Sequence, residues 1–419
     1  MNCEKLEIKK GINLHTIKTN KFKTNLIAVF LTVPLNRENV TKNALLAAIL
    51  RRGTNNMPTQ EIISKNLEEM YGASFDCGIE KNGDNQTIKF YLESLNDEFL
   101  PEKENLIKRS FDIILDLAFN PLVEDGKFKD EYVQGEKQNL KQIIEGKIDN
   151  KASYALERCI EEMYKNKAYG LYKYGYIEDL DSISSKDLYE YYKQVISSCK
   201  IDIFVSGKLQ ENIVQLVKEN ENIQKLEQRV SKINIEEKQK TEKEQVVEES
   251  MDITQGKLVI GMDVQSEVEN ISYITMCYNT ILGGGANSKM FQNVREKASL
   301  AYTASSNYLK RKQNIFIRAG IEIENYEKAV AIIKEQIEEM QKGNFTNEDM
   351  QNAKNLIIAT IENIPEEQDT EISYYFGQEL SNANVTVDEY KKKIEDVSKE
   401  QIVDIANSIS INTIYFLKN

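Results

Sequence analysis

The 419-residue chain has one histidine, His15, no tryptophan, and five cysteines. A single imidazole cannot supply a zinc site built on two or three histidines, so such an enzyme is excluded for this chain alone. A histidine-dependent triad or dyad would have to use His15 or do without. Cys3, Cys77, Cys159, Cys199 and Cys277 are odd in number, widely spaced, and form no Cys-x-x-Cys pair. That argues against a disulfide framework or a zinc ribbon and fits reduced thiols. Also missing is any run near the roughly 20 apolar residues of a membrane span. The start, Met1 to Leu6, lacks the apolar region of a signal peptide. Positive charge is in deficit: 54 Lys+Arg stand against 67 Asp+Glu, a net charge of −13. Phosphate neutralisation needs a clustered Lys/Arg excess, so a nucleic-acid partner is disfavoured. With 41% hydrophobic and 29% charged residues, a globular, cytoplasmic protein without a membrane partner is expected.

What is present is an alternation of strand-like and helix-like segments. Asn25–Val33 is a β-branched and aromatic run, a strand candidate. An apolar helix follows over Lys42–Arg52 and stops at Gly53, placed as its C′ glycine. Pro58-Thr59 opens a second helix with Ile62, Ile63, Leu67 and Met70 on one face. Asn82-Gly83-Asp84 joins two alternating runs as a hairpin turn. Ile201–Val205 is a short buried strand, and His15 sits in an early strand in a structural or solvent-exposed role. Four helix starts have capping-box spacing: Ser184/Asp187, Thr346/Asp349, Thr386/Glu389 and Ser398/Gln401.

From Lys232 to Glu249 the chain is nearly all charge and amide, and reads as a linker. The pattern then restarts: strand Leu258–Val264, helix Ile271–Leu282, glycines 283–285, helix Ser288–Ala298, and a hairpin over Ala301–Ala319. This is an internal repeat at an offset of about 227 residues. Laid without a gap, Leu67–Leu92 falls on Val294–Ala319, with Phe75 on Tyr302, Ile88 on Ile315 and Phe90 on Ile317. The expected domains are 1–231, a linker at 232–250, and 251–419. Each half is an α+β unit: an antiparallel sheet with helices packed on one side.

Two passages carry a family resemblance. Leu282–Ser306, LGGGANSKMFQNVREKASLAYTASS, resembles the second-half signature of the insulinase/pitrilysin-like (M16) zinc peptidases: a glycine-rich loop, a helix bearing an arginine, and a Leu-Ala-Tyr seven residues on. Here the pair is Arg295 and Tyr302. Ala44–Thr54, ALLAAILRRGT, lies where active members carry His-x-x-Glu-His, in which two histidines on one helix face bind zinc and the glutamate polarises water. Aligned on Gly53-Thr54, the histidine positions fall on Ala44 and Ala48 and the glutamate position on Ala47. The family's third ligand, a later glutamate, falls on Ile143, or on Gln142 if the alignment slips by one. The glutamate seven residues before it falls on Glu136.

The resemblance covers the whole chain and implies the M16 architecture, in which like halves face each other as a clamshell. It implies no metal and no cofactor in this chain, with zinc expected only in a partner subunit. It further implies a subunit inactive alone that pairs with a zinc-bearing homologue and contributes Arg295 and Tyr302 to peptide substrate. In the mitochondrial processing peptidases a glycine-rich loop of the non-catalytic subunit helps recognise substrate, which nominates Gly283, Gly284 and Gly285. The chain is also similar to family members of low-GC Gram-positive bacteria that lack the metal motif and are linked to a modification pathway of elongation factor P. The alternative is a non-enzymatic, peptide-binding scaffold of the same fold, paired with itself as a homodimer.

Overall fold

The structure, a computed structural model, describes residues 3–102, 104–236 and 243–419. The first half holds strands β1 (Cys3–Lys9), β2 (Ile12–Lys18), β3 (Thr24–Pro34), β4 (Ser74–Asn82), β5 (Asn85–Leu95) and β6 (Lys200–Gly207). The second holds β7 (Gln245–Ser250), β8 (Gly256–Val264), β9 (Ala301–Leu309), β10 (Asn314–Ile321) and β11 (Ile409–Lys418). The longer helices of the first half are α1 (Val40–Leu50), α2 (Gln60–Glu69), α3 (Leu106–Phe119), α4 (Asp130–Glu145), α5 (Lys151–Met163), α6 (Ser185–Ser198) and α7 (Ile213–Glu219). Those of the second are α8 (Ile271–Gly283), α9 (Tyr326–Gln341), α10 (Asn347–Glu362), α11 (Gln368–Leu380), α12 (Val387–Glu395) and α13 (Lys399–Asn407). All four capping boxes form, each with both reciprocal hydrogen bonds.

The two large sheets run β1-β2-β6-β3-β5-β4 and β9-β10-β8-β11-β7. Turned end for end, the second repeats the last five strands of the first. Each contains one parallel pair, β2 with β6 and β7 with β11, among antiparallel neighbours. The hairpins differ in loop length: Asn82 pairs with Asn85 across two residues, whereas Leu309 pairs with Asn314 across four. The gapless superposition of Ile88 on Ile315 therefore slips by two residues after the turn. A slip of two leaves each side chain on its original sheet face, which is why the hydrophobic pattern concealed it.

Contacts divide the chain into two units. One comprises the chain through Glu145, Leu171–Ile235 and Pro365–Asn384; the other comprises Gly146–Gly170, Glu236–Ile364 and Val385–Asn419. In the first unit, Ile27, Val29 and Leu31 of β3 face the layer of α1, α3 and α6. Leu26, Ala28 and Phe30 face the other way, onto Ile372 and Phe376 of α11. The Phe30 and Phe376 rings stack at 4.0 Å. Burying each such side chain stabilises by about 1.5–3 kcal/mol. The second unit repeats the device with α5, whose Ala155, Cys159, Ile160 and Met163 pack on Val259, Phe316, Tyr415 and Leu417. Gly261 of β8 makes room for that helix, since a Cβ there would lie 3.0 Å from Met163 Sδ. Each sheet thus has a sequence-local helical layer on one face and a helix from the other half of the chain on the other.

Two local readings change. Residues 237–242 of the expected linker lie outside the described residues, but 245–250 form β7, an edge strand paired with β11. A charged segment can hold a strand there because the ladder satisfies its backbone while its side chains face water. Gly53 is not a left-handed C′ residue. It is needed because a Cβ would meet the Pro58 carbonyl oxygen at 2.6 Å.

Candidate functional site

Helix α1 brings Ala44, Ala47 and Ala48 to the positions where the resemblance places zinc ligands and a catalytic carboxylate. Ala44 and Ala47 are buried and Ala48 is half-buried. The Cys77 thiol of β4 donates to the Ala47 carbonyl at 3.3 Å, and burial pushes that thiol's pKa up. Helix α4 packs against α1 and carries Glu136, which is buried. One Glu136 oxygen lies 3.3 Å from Arg52 Nη1, and the other accepts from Asn139 at 3.1 Å. The Arg52 guanidinium also lies over the Tyr132 ring at 4.8 Å. Two turns beyond Glu136, Ile143 is exposed. Methyl groups offer no lone pair, and the one carboxylate nearby is matched by a guanidinium, so zinc does not fit these residues. Among the described residues, no group of three or more His, Cys, Asp or Glu side chains can hold a metal ion.

The segment bearing Arg295 is a π-helix, Met290–Lys297, within the helix expected over Ser288–Ala298. The Ala298 amide donates to the Asn293 carbonyl at 3.2 Å, the i→i−5 bond of that geometry. Arg295 is exposed, with its guanidinium over Phe291 at 4.5 Å and its Nε 3.7 Å from Glu296. The segment turns into β9 through a Leu300 amide bond to Val294 O at 3.2 Å. Tyr302 follows at a break in register: Ala301 pairs with Ile321 and Thr303 with Gly320. A bulge re-aims the extra side chain, and Tyr302 is 62% exposed. Its hydroxyl donates to Glu322 Oε1 at 2.8 Å, and that carboxylate holds the phenol above its ordinary pKa. Glu322, unremarkable in the sequence, was visible only once the hairpin closed.

The three glycines have different surroundings. A Cβ on Gly283 would lie 2.5 Å from the Ser306 amide nitrogen, so close approach of α8 to β9 accounts for it. Gly284 closes α8 against Thr280, and none of the three takes a left-handed conformation. Gly285 lines a cavity of about 260 Å³ with Ser288, Lys289 and Asp349.

His15 is buried. Its ring stacks on Phe204 at 4.1 Å and its Nε2 lies 3.0 Å from Asp202 Oδ1. Asp202 also accepts from Asn13 and Lys200, at 3.0 and 2.6 Å. Burial raises the Asp202 pKa, but the His15 and Lys200 contacts outweigh it and hold the carboxyl below its ordinary range.

Residues 182–357 match the family model described as the peptidase M16 inactive domain. The probable inactive metalloprotease YmfF of Bacillus subtilis (strain 168) is 35% identical over 415 residues, 97% of this chain and 96% of that protein. The chain belongs to the M16 peptidase family. It is a homologue of an inactive M16 metalloprotease, in keeping with the three alanines of α1. Solved structures share the fold. A conserved protein from Enterococcus faecalis V583 superposes with a TM-score of 0.90 at 25% identity, covering 100% of this chain and 99% of that one. A peptidase M16 inactive domain from Pseudomonas fluorescens does so at 0.80 and 15% identity, covering 100% and 98%. A protease from Helicobacter pylori gives 0.81, also at 15% identity, over 100% and 99%. Among the described residues, no helix is long and apolar enough to cross a membrane.

Proposed function

We propose that this M16 chain is the non-catalytic subunit of a two-chain peptidase, paired with a zinc-bearing homologue and contributing Arg295 and Tyr302 to the bound peptide. The observation that carries this reading is an asymmetry between the halves. The zinc-motif positions of α1 hold only methyl groups, those of Ala44 and Ala47 packed into the core, while Arg295 and Tyr302 keep polar groups in solvent. Guanidinium and phenol are donors that stabilise a developing oxyanion without changing protonation near neutral pH. To serve, Tyr302 would exchange its bond to Glu322 for one to the substrate carbonyl, and Arg295 would leave its loose contact with Glu296. Gly285, beside the 260 Å³ cavity, supports a loop contact to substrate better than Gly283 and Gly284 do.

The test is peptide cleavage by the purified chain, by a zinc-bearing homologue, and by their mixture. Cleavage is expected only in the mixture, and Arg295→Ala should abolish it while leaving the complex intact on gel filtration. Mixed-complex cleavage that survives Arg295→Ala would overturn the substrate role. An assembly that binds peptide but cleaves in no combination would favour a scaffold, a homodimer included.

A further inference from the structure

A cavity of about 760 Å³ lies in the first unit, and Ala44, Ala47 and Ala48 are not among its lining residues. One wall is α3, which presents Lys108, Asp112 and Asp116 at successive steps of four residues. The opposite wall is α7 and the segment after it, with Glu219 and Glu221. Seven of the fifteen lining side chains are amides, and four carboxylates face a single ammonium. That ammonium is already committed, since Lys108 Nζ donates to Asp112 at 2.6 Å. Asn220 donates to the other Asp112 oxygen at 3.0 Å and joins the two walls.

Asp116 supplies the second observation. It is 4% exposed, and both its amide donors, Asn56 and Asn120, go to Oδ1, at 2.9 and 2.7 Å. Its Oδ2 is buried without a hydrogen-bond partner. A buried carboxylate oxygen without a donor is unfavourable, and such a group calls for a ligand that brings one. No set of three acidic, His or Cys side chains among the described residues suits a metal ion. The remaining chemistry is a cation rich in N–H donors. Its charge would answer the carboxylates, and the carbonyl oxygens of the amides would accept its other hydrogens.

We propose that this cavity binds an alkylammonium group, with Asp116 Oδ2 and Glu219 as its counter-charges. The group comes from a free polyamine or from a lysine side chain. Titration calorimetry of the full chain with spermidine, and separately with N-acetyl-lysine methylamide, tests this. Saturable binding of either probe is expected; binding of spermidine alone identifies a small polyamine, and binding of both identifies a lysine-type ammonium. Asp116→Asn, which keeps shape and removes charge, should weaken binding about tenfold, the loss of one charge-assisted hydrogen bond. Glu219→Gln, on an exposed helix end, should weaken it by a smaller factor without disturbing the fold. Absence of saturable heat with both probes would overturn the proposal. So would binding that neither variant alters, which would mean only diffuse attraction to an acidic protein.

Discussion

The two sheets share a strand order, and each is covered on one face by a helix from the other half of the chain, yet the polar ties of those helices differ. In the first unit, Lys200 links the fully buried Asp202 to Glu379 of α11 at 2.6 and 2.8 Å, and Lys5 joins Glu379 at 2.6 Å. In the second, Glu249 of β7 accepts from Tyr154 and Arg158 of α5 and from Tyr415 of β11, the last two at 3.0 and 2.8 Å. The Asp202 side chain is 0% exposed and that of Glu249 is 27% exposed. Topology and apolar alternation can thus be common to two halves while the charges that pin an exchanged helix are local inventions.

Burial decides the energetics of that difference, and substitution can break it. Asp202→Ala leaves His15 and Lys200 without their shared carboxylate and should cost about 3–5 kcal/mol in urea unfolding. Wild-type stability from this carboxylate should be complete above about pH 4, the ordinary aspartate value, and be lost as pH falls through the lower folded value. Asp202→Asn should remove that part of the acid dependence; an unchanged acid limb would refute the assignment.

Helix α1 and the glycine run give intermediate effects. Gly283→Ala should destabilise by about 1–3 kcal/mol, because the new methyl meets backbone. Gly285→Ala meets only the end of Leu356, at 3.1 Å, and should stay within about 0.5 kcal/mol. Equal melting temperatures for the two variants would undo this distinction. Ala44→His with Ala48→His should also cost about 1–3 kcal/mol by overpacking and should not create a stoichiometric zinc site on metal analysis, since Ile143 still offers no ligand.

Glu249→Ala should cost only about 1 kcal/mol, since solvent screens the partly exposed pair. A loss equal to that of Asp202→Ala would erase the contrast between the sheets. Smallest of all, Arg295→Ala and Tyr302→Phe should leave the melting curve unchanged, because both side chains project into solvent.

Much of the fold was legible because it rests on short-range signals. Thr59 before α2, the four capping boxes and the β3 alternation each act within a few residues. The exchanged helices were not legible. The apolar stripe of α5 has the spacing of any buried helix face, and nothing in Ala155, Cys159 or Met163 says which sheet will receive it. The π-helix around Arg295 and the bulge at Tyr302 were equally hidden, since both arise where two elements must meet. The surroundings of the expected site residues were not readable: Glu322 meets Tyr302, Arg52 meets Glu136 and Asp202 meets His15 only through the fold.

By itself the sequence determined that no two-histidine zinc site exists here, since one imidazole is too few and Ala44 and Ala48 stand where two would be. It also determined the duplicated strand and helix pattern, because periodicity is a property of neighbouring residues. Only the tertiary structure decided that His15 is a buried partner of Asp202, that β7 joins a sheet, and that Asp116, on the wall of a polar cavity, keeps an unpartnered buried oxygen. Each depends on which distant groups share a low-dielectric space, and no local pattern encodes that.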